Sequence, residues 1–136
     1  MSETSRNALS KIIMFAAILE IGTAIALLVE PRIVIALLVA GNEPLQAIPL
    51  GRVAGIAILA LGVACWPTRQ RAEGGSPAFW SMLIYSALIA LYLAYLFTIE
   101  HLGGVLLWPA VALHVVVALL LVWARRGERG AKVTGT

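Results

Sequence analysis

Apolar residues in this chain neither alternate nor recur at a spacing of three and four; they come in long unbroken runs. The first, IIMFAAILEIGTAIALLV, fills residues 12–29 and admits a single ionisable residue, Glu20. A helix that crosses a bilayer needs about 20 mostly apolar residues. Four segments reach that length, about Lys11–Val29, Ile48–Trp66, Ala78–Ile99 and Leu102–Ala124. A fifth run, IVIALLVAG after Pro31 and Arg32, is too short to cross. It predicts an interfacial helix, at the membrane surface or tucked against the bundle, with a re-entrant loop as the alternative. Between the second and third spans, PTRQRAEGGSP is a Pro/Gly/Ser-rich, charged turn signal. The pattern predicts an all-α integral membrane four-helix bundle with a short interfacial or re-entrant helix between spans one and two. Residues 1–10 read as a polar N-terminus, 11–124 as one transmembrane domain and 125–136 as a basic, disordered tail.

Composition agrees with the pattern. The chain is 61% hydrophobic and 12% charged, against about 45–50% and about 25% in soluble domains. The first run is longer than a signal-peptide core and carries a carboxylate, so it reads as a retained helix. Aromatic residues at span ends, Trp66, Phe79, Trp80 and Trp123, read as an interfacial belt. With one cysteine, Cys65, neither an intrachain disulfide nor a cysteine cage for metal can form.

Charge adds orientation. Arg6, Lys11, Arg69, Arg71, Arg125, Arg126, Arg129 and Lys132 fall on one side of a four-span protein, while the other side holds Arg32 and Arg52. The excess of Lys and Arg marks the cytoplasmic side. Both termini are therefore expected in the cytoplasm of a bacterial cell, with the protein in the inner membrane. The small net charge of +3 sits at ends and loops, which suits orientation in the membrane rather than nucleic-acid binding.

The candidate chemistry lies in the few polar residues within the spans. At 1.5 Å per residue, Glu20 lies roughly 14 Å beyond Lys11, and His114 roughly 15 Å from Ala124. Both depths are close to the bilayer midplane, so Glu20 and His114 form a candidate pair. An isolated carboxylate in hydrocarbon protonates or finds a partner. The pair is either a fastening between helices or a proton or ligand site. Tyr85, Tyr92 and Tyr95 form a stripe with Ser81 on span three, either a packing face or a pocket lining. Gly51, Gly55 and Gly62 share one face of span two, where small residues let helix backbones approach. Pro109 predicts a kink in span four. Glu30, Arg32, Glu43, Arg52, Glu100 and His101 form an outer polar rim, either solvated or the mouth of a pocket. Two histidines thirteen apart point about 140° apart on one helix, so one face does not present both, which speaks against a two-haem arrangement. No nucleophile–base motif, phosphate loop or zinc spacing is present, so nothing specifies an enzyme.

The segments ALLVEPRIVIALLVAGNEP, GRVAGIAILALGVACW and LLWPAVALHVVVALL, in this order, resemble the DoxX-like four-helix membrane proteins of bacteria. That resemblance covers most of residues 12–124. It implies a four-helix bundle and, through some DoxX relatives, a link to membrane redox chemistry and quinones. LEIGTAIAL is similar to the first helix of small multidrug resistance transporters, in which a membrane-embedded Glu binds cationic substrate or protons. This second resemblance implies such a role for Glu20.

The leading expectation is a protein that binds a hydrophobic or amphipathic small molecule, or an accessory subunit of a membrane complex. A proton-coupled transporter acting as a homo-oligomer around Glu20 comes second, and a quinone-linked redox protein third. The residues themselves require no cofactor and no metal; a quinone or a lipid is the ligand class such a bundle admits.

Overall fold

The computed structural model describes residues 3–40, 47–66 and 75–133. Among them are five helices and no strand: α1 (Glu3–Val29), α2 (Pro31–Val39), α3 (Ala47–Ala64), α4 (Pro77–Thr98) and α5 (Leu107–Val133). Four stretches are long and apolar enough to cross a bilayer: Asn7–Val29, Ala47–Ala64, Pro77–Thr98 and Leu107–Gly127. The protein is a multi-pass membrane protein, and the lipid bilayer is its solvent.

Local chemistry places the breaks. Pro31 has no N–H and disfavours helical geometry in the residue before it. Glu30 therefore leaves the helix at φ −140°, its N–H still bonded to the Ala26 carbonyl at 2.9 Å. Pro31 then opens α2, where its fixed φ suits a first helical position. The helix is capped by Ala40 in the left-handed region, at φ 47°. Ser76 starts α4 by accepting a hydrogen bond from the Phe79 N–H, with Pro77 at the first position. α3 stops at Ala64, two residues short of the expected end, because Pro67 is close behind it.

The helices form two antiparallel hairpins. α1 runs along α3 and α4 along α5, and the hairpins meet mainly through α1 and α5. The first hairpin is close because of its glycines, all three of which are buried. A Cβ on Gly62 would lie 3.2 Å from the Ala17 carbonyl oxygen, and one on Gly55 would lie 3.1 Å from that of Ala24. Small residues thus face small residues seven apart on both helices. Gly51 receives α2, since a Cβ there would meet the Pro31 Cβ at 3.0 Å.

α2 is anchored by backbone as well as by packing. The Gly104 N–H donates to the Leu38 carbonyl at 2.8 Å, and the Leu106 N–H to that of Leu37 at 2.9 Å. These bonds satisfy carbonyls that a helix C-terminus leaves open. Glycine is required at 104, because a Cβ would run into the Leu37 carbonyl. α2 is a short helix held at the end of the bundle opposite the termini.

Several sequence expectations change. The fourth span starts at Leu107 rather than Leu102, because residues 102–106 form a loop and turn whose Gly104 and Leu106 N–H groups bond α2. Pro109 consequently falls in the first turn of α5, where the N–H it lacks has no helical partner anyway, so it does not act as a mid-span kink. Residues 125–133, expected as a disordered tail, continue α5 as helix. Arg, Glu, Lys and Ala are good helix formers, and basic residues near a helix C-terminus complement its dipole. At the other terminus, α1 begins before Lys11, and Leu9 is already fully buried.

Candidate functional site

Glu20 on α1, Tyr85 on α4 and His114 on α5 converge near mid-bundle. The Tyr85 hydroxyl donates to Glu20 Oε2 at 2.9 Å. His114 Nδ1 lies 4.0 Å from Glu20 Oε1, beyond hydrogen-bond range but at the limit of an ion-pair contact. The Tyr85 and His114 rings meet edge to face, with centroids 5.7 Å apart. Each member of the trio therefore touches the other two. Glu20 is only 5% exposed and His114 9%, so the carboxyl is sealed rather than open to a water path.

Each helix contributes one member for a reason of register. Glu20 shares a face of α1 with Ile13, Ala16, Ala17 and Ala24, all of them buried, and meets α4 and α5 from it. His114 shares a face of α5 with Val111, Val117 and Leu121, all of them buried. Tyr85 follows Met82 by one turn on α4, so its phenol extends the packed face toward Glu20. Chemically, the trio can hold one proton. With one proton between carboxyl and imidazole, the pair is net neutral whichever group carries it, the condition under which such groups are tolerated in hydrocarbon. The phenol donates to one carboxyl oxygen and leaves the other facing the imidazole.

The other candidate residues are distributed differently. Tyr92 and Tyr95 stand on the exposed side of α4, stacked on each other with centroids 6.4 Å apart. The Tyr95 hydroxyl donates to Glu100 Oε1 at 2.7 Å. Their exposed side differs from the side on which Tyr85 meets Glu20. A helix turns about 100° per residue, so Tyr95 is about 80° off the direction of Tyr85. α1, which covers Tyr85 through Glu20, has little contact with α4 and does not shield Tyr92. In the rim, Glu30, Arg32, Arg52, Glu100 and His101 are all exposed, and Glu43 lies outside the described residues. His101 sits at φ 53° in the turn between α4 and α5, a conformation uncommon for residues other than glycine. Phe79, grouped with the belt on sequence, is fully buried in the core, whereas Trp66, Trp80 and Trp123 are exposed.

Two polar residues escaped the sequence reading. Ser86, beside Tyr85, is 1% exposed, and its hydroxyl has no hydrogen-bond partner among the described residues. Serine is common enough in membrane helices that only packing distinguishes this one. Arg125 is more than an orientation charge: its guanidinium lies 4.3 Å from the centre of the Trp80 ring and 5.3 Å from that of Phe79. The spacing of aromatic and basic residues at the ends of spans three and four was the available signal.

Comparison of the chain with family models, curated proteins and solved structures returns no match. The site is accordingly read from its own geometry.

Proposed function

We propose that this chain is a small inner-membrane protein of a bacterial cell, with both termini cytoplasmic, that works as a binding or accessory component rather than as a carrier. Its partner is a hydrophobic or amphipathic small molecule, a quinone or lipid included, or a larger membrane complex. The supporting observation is the sealing of Glu20 against Tyr85 and His114. A carrier needs its membrane carboxylate to meet water and substrate in turn, whereas this carboxyl is buried, accepts from Tyr85 and faces His114. The resemblance to DoxX-like proteins supports the same reading.

Reconstituted vesicles test it. Gradients of a lipophilic cation are expected to drive no proton flux, and Glu20→Gln should lower thermal stability while leaving ligand affinity independent of pH. Cation-driven proton uptake that disappears in Glu20→Gln would overturn the reading in favour of the second one, a proton-coupled transporter acting as an oligomer. That alternative draws on the carboxyl, phenol and imidazole meeting at one depth. Orientation is tested separately. Cysteines placed at Ser5 and Ser76 in a Cys65→Ala background should react only with reagent on the cytoplasmic side, and labelling of either from outside would reverse the topology.

A further inference from the structure

At the end of the bundle that carries the termini, α4 and α5 enclose a cleft of about 220 Å³ lined by Phe79, Trp80, Leu83, Val122, Arg125 and Arg126. Its composition is graded. Leu83 and Val122 lie toward the membrane interior, Trp80 is partly exposed at the interfacial level, and the two guanidiniums stand at the end of the apolar span. No lining residue is acidic, and neither guanidinium has a carboxylate partner among the described residues. The Arg125 guanidinium carbon lies 4.3 Å from the centre of the Trp80 ring. A guanidinium held over an aromatic ring still has N–H donors to offer to two oxygens of a phosphate. Arg125 Nε is buried and lacks any acceptor among the described residues, an arrangement that a structure keeps only at a cost unless an acceptor arrives.

We infer that this cleft is a binding site for an anionic phospholipid, with the headgroup phosphate on Arg125 and Arg126 and an acyl chain along Leu83 and Val122. A small turn of the long Arg125 side chain brings its Nε–H to a phosphate oxygen, and a second N–H of the same fork completes a bidentate contact. Basic pockets between membrane helices at the interface suit such headgroups, and here the apolar walls continue from the charged end in the direction that lipid chains run. The site is independent of the Glu20 cluster, none of whose members lines it.

The test is native mass spectrometry of the purified full-length chain in detergent, titrated with phosphatidylglycerol or phosphatidylcholine at equal concentration, with and without excess inorganic phosphate. Phosphatidylglycerol should be retained preferentially and should resist inorganic phosphate. Arg126→Gln, at an exposed position that leaves the core untouched, should lower that retention about fivefold, and Arg125→Gln by at least as much. Val122→Trp, which fills the cleft and keeps both charges, should lower it as well. Equal retention of the two lipids would overturn the proposal. Displacement by inorganic phosphate would also overturn it, by making the site one for a free anion. Undiminished retention in Val122→Trp would do the same, by reducing the effect to attraction by surface charge.

Discussion

The two ends of this bundle are built differently. At the end with the termini, all four spans contribute to one core: Leu9 and Ile13 from α1, Leu61 of α3 with the adjoining Cys65, Phe79 and Met82 from α4, and Val117 and Leu121 from α5. The Cys65 thiol also donates to the Ala78 carbonyl at 3.6 Å. At the opposite end the buried cluster is Leu93, Leu107 and Val111, supplied by α4 and α5 alone. There α1 packs on Gly55 of α3 instead, and the hairpins are joined by the two backbone hydrogen bonds from residues 104 and 106 to α2. The Glu20 cluster lies between, where the shared apolar core gives out. Lipid tails are as apolar as leucine, so apolar contact does little to prefer helix over lipid. A polar contact does prefer it, because in lipid the carboxyl and phenol would lack partners.

The difference is open to attack by substitution, with unfolding in detergent as the measurement. The largest effect belongs to the shared core. Phe79→Ala should cost about 3 kcal/mol, the low end of the usual range for such truncations, because part of that range is transfer from water. Leu107→Ala, in the two-helix cluster, should cost about 2 kcal/mol. An equal or reversed order would mean that the ends are equally packed.

Next comes the middle. Glu20→Gln and His114→Gln should each destabilise, and the double variant should cost less than their sum by about 1 kcal/mol, in the range measured for polar contacts between membrane helices. Strict additivity would remove His114 from the cluster and leave Tyr85 as the only partner of Glu20.

The smallest expected difference separates two tyrosines that sequence placed together. Tyr85→Phe removes a buried hydrogen bond to a carboxyl and should cost about 1 kcal/mol. Tyr95→Phe removes an exposed one, to Glu100, and should stay within about 0.5 kcal/mol. If Tyr95→Phe were the more damaging, the exposed face of α4 would be covered in the membrane, by a second copy or another subunit.

The spans, the short helix after Pro31 and the shared depth of Glu20 and His114 were all legible in the sequence. Each depends on local quantities: the length of an apolar run, the missing N–H of proline and the fixed rise of a helix. Depth along the bilayer normal follows from counting residues, whatever the neighbours. Direction around each helix does not, because a face has meaning only against the helices beside it. Folding alone decided that Tyr85, and neither Tyr92 nor Tyr95, meets Glu20, that Ser86 is buried, and that Arg125 lies over Trp80. The same holds for Pro109, which began a helix once residues 102–106 were drawn onto α2. Composition determined that this chain enters a membrane, since transfer from water to lipid adds up residue by residue. The meeting of its polar groups waited on helix order and rotation, which are set by contacts between residues far apart in the chain, 94 positions in the case of Glu20 and His114.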